Sequence, residues 1–121
     1  MSSAVTVRVP GKINLQLSVG PLQSNGFHPV ATVFQAVSIF DDVRVSVTDE
    51  PGIHIHSTGK HLDHLPLDHT NLAYKAAEIM VKKFEISDGI SISLTKEIPL
   101  AGGMAGGSAD AGATIVAIDA L

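Results

Sequence analysis

The stretch from Gly89 to Leu121 constrains the fold more than any other part of the sequence. Ile90, Ile92 and Leu94 alternate with Ser91, Ser93 and Thr95, the period of a strand with one buried face. Pro99-Leu100-Ala101-Gly102-Gly103-Met104-Ala105-Gly106-Gly107-Ser108 follows, a loop nearly stripped of side chains. From Ala109 the chain turns to Ala, Ile and Val, with Asp110, Thr114 and Asp119 as its polar positions beyond Gly112. That segment reads as a helix buried on nearly all sides. A helix that opens on a glycine loop points its first N–H groups, and the positive end of its dipole, at whatever the loop wraps. An anion such as phosphate fits there. The same glycines would equally make a tight-packing turn, and the residues alone leave both readings open. On the first, Gly106 is a close-approach position, where a β-branched side chain would keep a phosphate from hydrogen-bond distance, about 2.9 Å, while most of the fold survives. The loop lacks the Lys-Ser/Thr ending of a P-loop and the G-x-G-x-x-G spacing of a dinucleotide fold.

The part before Gly89 supplies more strands and one helix. Thr6 to Arg8 and Ile13 to Val19 read as strands on either side of a Pro10-Gly11 break. Val33 to Phe40 is an apolar strand, and Asp42 to Thr48 alternates with Val43, Val45 and Val47 on one face. Ile53 and Ile55 alternate with His54 and His56, and residues 57 to 69 form a polar loop. From Asn71 the period turns helical, with Leu72, Ala76, Ile79, Met80 and Phe84 as one apolar stripe and Asp68 or Thr70 as its cap. The sum is one α+β domain. The last helix stops at Ala120-Leu121 without a Gly cap or a basic last turn, which reads as a piece of a longer polypeptide.

Composition narrows the function classes. The 121 residues are 45% hydrophobic, enough for a core, but only 17% charged, so some apolar surface expects cover. A net charge of −4 without a basic run argues against a nucleic-acid partner. No cysteine is present, so disulfides and thiolate metal sites are out. The N-terminus lacks a signal-peptide core and no apolar run is long enough to span a bilayer, so the expected location is cytoplasmic, with no membrane partner. His61, His64 and His69 share a loop with Asp63, but their spacing matches no zinc site, and no resident metal is expected. Two further places could carry chemistry. Lys12 and Asn14 stand two apart at a strand start and so share a face, although a lone Lys is as readily a solvated charge. Asn25-Gly26-Phe27-His28 is a turn that presents a ring and an imidazole, or an ordinary hairpin tip.

Three ordered segments resemble the GHMP kinases. Pro10-Gly11-Lys12-Ile13-Asn14-Leu15 is similar to the family's first motif, and Pro99 to Ala111 to its second, which wraps the ATP phosphates. Gly26-Phe27-His28 followed by Thr32-Val33-Phe34-Gln35 resembles the diphosphocytidyl-methylerythritol kinases within that family. The resemblance implies a mixed sheet packed by helices, like the second domain of ribosomal protein S5. It implies ATP with Mg²⁺ as phosphoryl donor and a cytidyl diphosphate sugar alcohol as acceptor, in non-mevalonate isoprenoid biosynthesis. By the same resemblance Lys12 is the active-site lysine, Asn14 lines the acceptor pocket, Phe27 stacks on the cytosine, His28 bonds its edge, and Phe34 closes the pocket. Pro99, Leu100, Ala101, Gly102, Gly103, Met104, Ala105, Gly106, Gly107, Ser108 and Ala109 cradle the phosphates, with Asn71 and Lys96 near the nucleoside. The sequence departs from the pattern at Phe27, where Tyr is commoner, at Met104 and Ala105, where Leu and Gly are commoner, and in carrying one serine at Ser108. The family's catalytic aspartate would lie beyond residue 121. A homoserine or mevalonate kinase and a non-catalytic nucleotide- or anion-binding module stand as alternatives, with an S5-like RNA-binding domain as a weaker one; oligomeric state is left open.

Overall fold

The computed structural model describes residues 3–100 and 102–121. Strands β1 (Ala4–Val19), β2 (Val30–Thr48), β3 (Ile53–Gly59) and β4 (Gly89–Lys96) form one mixed sheet in the order β1-β2-β4-β3, with helix α1 (Leu72–Lys83) before β4 and α2 (Gly106–Ala120) after it. The two outer pairings of β2 are antiparallel, and β3 runs parallel to β4. This is the expected α+β arrangement of a mixed sheet and packed helices.

Alternation decides which face of the sheet is covered. Val43 and Val45 of β2, Ile55 of β3, and Ile90, Ile92 and Leu94 of β4 are buried under the helices with Ala73, Ala77, Ala113, Ala117 and Ile118. The residues between them, such as Arg44 and His56, face out. Each buried Val or Ile contributes about 1.5–3 kcal/mol of transfer free energy.

The structure corrects five details of the sequence reading. Pro10 and Gly11 do not break the strand: β1 runs through them with register shifts between Pro10 and Lys12 and between Asn14 and Gln16. A proline is tolerated because β1 is an edge strand whose far side has no ladder to lose. The segments 33–40 and 42–48 are one strand, and only its second half, Asp42 to Thr48, pairs with β4. Residues 10–19 and 30–40 therefore form a two-stranded arm that leaves the sheet. Helix α1 buries Ala73, Ala76 and Ala77, while Leu72, Ile79 and Phe84 lie exposed; small side chains let it approach closely, so the large residues mark the wrong arc. Its cap is Asn71, which accepts from Ala73 N–H, while Asp68 holds Thr70 in the turn before it. Helix α2 is not buried all round: Ile115 and Val116 face outward, because α1 and the sheet cover only one side of it.

Candidate functional site

The loop between β4 and α2 is fixed at its base and open at its crown. Asp41 Oδ1 accepts the N–H groups of Glu97 at 2.8 Å and Ile98 at 2.9 Å, which pins the chain as it leaves the sheet. Pro99 and Leu100 are half-buried, whereas Gly102 and Gly103 are exposed. Gly103 has φ +72° and open space where a side chain would stand, so it serves both the turn and the access. Ala105, at φ 58°, ψ 33°, is the N-cap of α2 in a left-handed conformation that costs about 1–2 kcal/mol without glycine. No side chain caps this helix, so its first-turn N–H groups, from Gly106 to Ser108, carry the positive end of the dipole uncapped. Gly106 itself serves packing. A Cβ there would stand 2.9 Å from Ile98 Cγ2 and 3.3 Å from Lys96 Nζ, so its missing side chain makes room for the protein's own core. Gly107 similarly makes room for Leu72, 3.3 Å away, which brings the start of α1 against the start of α2.

The crown of the loop meets the β1 bulge. Lys12 N–H donates to Met104 carbonyl at 3.0 Å, and Gly11 lies buried where a Cβ would stand 3.2 Å from Met104 Cε and 3.4 Å from Ile98 Cγ2. The register shift at Gly11 turns the Lys12 N–H from the ladder toward the loop. Lys12 Nζ then donates to Asn14 Oδ1 at 2.7 Å, Asn14 Nδ2 to Thr32 Oγ1 at 2.7 Å, and Thr32 to Gln16 carbonyl at 2.7 Å. Phe34 pairs with Asn14 across the strands, and its ring lies 5.2 Å from the Lys12 ammonium, within cation–π reach. Phe27 and His28 sit at the far end of the arm, seven residues beyond Lys12 along β1, roughly 20 Å at strand rise. The turn is set by Asn25 Oδ1 accepting Phe27 N–H at 2.9 Å, and His28 Nδ1 is bound to Gly20 carbonyl at 2.8 Å. Phe27 is 72% exposed.

Below the loop lies a charged core. Lys96 Nζ, with no exposed surface, donates to Asp41 Oδ2 at 2.5 Å and to Asp110 Oδ2 at 2.7 Å. Burial works against the Lys96 ammonium, but its bonds to Asp110 and Asp41 outweigh that and raise its pKa. Burial likewise works to raise Asp41, but hydrogen bonds from Asp110, Lys96 and the Ile98 and Glu97 N–H groups hold it below the usual carboxylate range. For Asp110 the balance falls the other way: burial and the neighbouring Asp41 outweigh the bond from Lys96 and push it up to about 7.

Residues 71–121 match the GHMP kinases N terminal domain. The chain is 50% identical to 4-diphosphocytidyl-2-C-methyl-D-erythritol kinase of Paenarthrobacter aurescens over 97% of its length, and 47% identical to that of Leifsonia xyli over 98%. A crystal structure of 4-(cytidine 5'-diphospho)-2C-methyl-D-erythritol kinase superposes with TM-score 0.74 at 33% identity, over 96% of this chain and 40% of that one. The chain is similar to these kinases over nearly its whole length. It spans 38% and 39% of the length of the two curated relatives.

On this scaffold the structure joins Lys12, Asn14 and Phe34 to Met104 of the glycine loop, and leaves Phe27 and His28 at the tip of the arm. Ala101 lies outside the described residues; Ser108 is exposed and Ala109 half-buried in the first turns of α2. Asn71 is spent on structure, bonding Ala73 N–H and Pro66 carbonyl. The Lys96 side chain is a buried strut: its ammonium has no surface and both its partners are internal. Asp41 was not singled out by the sequence. Asp110 was visible only as a polar position in an apolar helix, and that charge against the pattern was the signal available. Among the described residues no three His, Asp or Glu side chains gather to hold a metal, and no helix is long and apolar enough to cross a membrane.

Proposed function

We propose that this chain is the N-terminal domain of a kinase that transfers the γ-phosphoryl group of ATP to a hydroxyl of the methylerythritol unit of 4-diphosphocytidyl-2-C-methyl-D-erythritol. The observation that carries this reading is the junction at Lys12. Its backbone is tied to the crown of the glycine loop and its ammonium to Asn14 in the arm, so one residue joins a phosphate cradle to an acceptor pocket. The names of the relatives support the choice of substrate.

In this reading the uncapped N–H groups of the first turn of α2 and the open side of Gly103 receive the phosphates. Magnesium would arrive chelated by ATP, since Mg²⁺ commonly takes its ligands from substrate phosphates and water with few from protein, and among the described residues no three His, Asp or Glu side chains gather at the loop. The Lys12 ammonium stands where charge grows on the transferred group, and Asn14, steered by Thr32, orients the acceptor hydroxyl. The hydroxyl oxygen bonds to the γ-phosphorus as the bond to ADP breaks, and the proton passes to a base assigned outside these 121 residues. Phe27 stacks on the cytosine, His28 bonds its edge and Phe34 walls the pocket, so that binding energy at the base holds a distant hydroxyl in place.

Lys12→Ala in the full-length protein tests the assignment. The bond from residue 12 N–H to Met104 is a backbone bond and survives, so ATP should still bind with KM within about threefold while kcat falls about 100-fold or more. An unchanged kcat removes Lys12 from the mechanism. Phosphorylation of homoserine or mevalonate, but not of the cytidyl compound, would refute the choice of substrate.

A further inference from the structure

The glycine loop leaves the sheet at Glu97 and Ile98 and returns through α2, and both of its ends converge on one buried ammonium. Asp41 holds the departing end by two N–H groups and passes its other oxygen to Lys96. Asp110, in the second turn of α2, holds the returning end by the same Lys96. The ammonium lies directly beneath the loop, 3.3 Å from the point where a side chain on Gly106 would begin. One carboxylate would balance one ammonium, so the second is more than an ion pair needs. Asp110 Oδ1 is moreover buried without a hydrogen-bond partner among the described residues. An unpartnered buried carboxylate oxygen is costly for stability, and such costs persist where they serve a site.

We infer that Asp110, acting through Lys96, is a positioning residue for the ATP phosphates: it locks the two ends of the glycine loop together and sets the charge beneath it. The inference rests on the kinase reading of that loop. The charged groups that face Asp110 are Lys96 from β4 and Asp41 from β2. From α1 the neighbour of the first turn is Leu72, and from β1 it is Gly11 beside Ile98 and Met104. With Asp110 pushed up to about 7, the neutral carboxyl leaves Asp41 and Lys96 as a balanced pair, and the anion adds a negative charge under the phosphates. A bound phosphate favours the neutral form, so ATP affinity falls as pH rises through 7. The sign for folding runs the same way. The folded value lies above the ordinary 3.8, so this group's stabilisation is full below that pH and is lost as pH rises toward 7.

The test uses the full-length protein and a non-hydrolysable ATP analogue with Mg²⁺, titrated by calorimetry from pH 6 to 8.5 beside the cytidyl acceptor. Failure of the parent to bind the analogue would overturn the kinase reading and this inference with it. If the parent binds, Asp110→Ala should weaken the analogue about tenfold or more, change acceptor affinity less than about twofold, and be rescued near pH 6.5 by the neutral isostere Asp110→Asn. Loss of both ligands together, or no loss of either, overturns the inference alone. Should Asp110→Ala not fold, the pH profile decides: affinity of the parent should fall with pH relative to Asp110→Asn, at most tenfold per unit. The nucleotide's own ionisation is common to both proteins and cancels. Parallel profiles overturn the inference.

Discussion

Gly106→Ala measures how tightly the base of the loop is packed. The added Cβ would stand 2.9 Å from Ile98 Cγ2, 3.2 Å from Ile98 Cβ and 3.3 Å from Lys96 Nζ, all below the 3.4 Å at which ordinary contact begins. Ile98 is fully buried, its backbone is pinned by Asp41, and a side chain branched at Cβ has no free rotamer into which to retreat. Overpacking of this kind costs about 1–3 kcal/mol. Up to about 1 kcal/mol returns from exchanging glycine for alanine in a helix. The net expectation is a loss of about 1–2 kcal/mol, or roughly 4–8 °C in Tm for a domain of this size. Urea unfolding of the four members of a cycle with Ile98→Ala isolates the cause. Ile98→Ala alone should cost about 2–5 kcal/mol, and the double variant should be about 1 kcal/mol or more better than the sum. A Gly106→Ala protein as stable as its parent, or effects additive within about 0.5 kcal/mol, would refute the packing reading.

Two further outcomes follow from the geometry. Asn71→Ala removes the cap on Ala73 and the bond to Pro66 carbonyl together, and should cost about 1–2 kcal/mol in denaturant unfolding, whereas Asn71→Asp keeps the cap and should cost less. Phe27→Ala should weaken the cytidyl acceptor about tenfold or more, at about 1–3 kcal/mol per stacked base, without touching ATP-analogue affinity. Equal loss of both ligands in calorimetry would mean that Phe27 supports the arm and not the base.

What could be read from the sequence depended on whether local pattern or distant partners set the outcome. Ile90, Ile92 and Leu94 were legible as core because a covered sheet face leaves a period of two in the chain. Helix α1 was legible as a helix but not in its orientation: Leu72, Ile79 and Phe84 outweigh alanines in any apolar count, yet the alanines are the residues buried. Pro10 misled because its cost depends on whether β1 has a neighbour on its far side, which is a property of the sheet order. The pairing of Lys12 with Asn14 was legible because they stand two apart on one strand. Lys96 could not be placed, since its partners lie 55 and 14 residues away and only the closed fold brings them together. Gly106 and Gly103 look alike in the sequence, and only the direction of the missing side chain separates packing from access.

The arm of residues 10–19 and 30–40 makes the site mechanically uneven. Strand β4 braces β2 only from Asp42 onward, so the arm is a lever whose fulcrum lies beside Lys12. Two-stranded ribbons twist and bend more readily than full sheets. A bend of about 5° at the fulcrum would carry a tip roughly 20 Å away through about 1.7 Å, given strand rise over the length of the arm. The same bend scarcely displaces Lys12, whose main chain is moored to Met104. On the proposed reading, Phe27 and His28 can thus travel to meet a base while the lysine and the glycine loop hold their register. Tolerance would then be confined to the end proposed to recognise, and stiffness to the end proposed to carry the transfer.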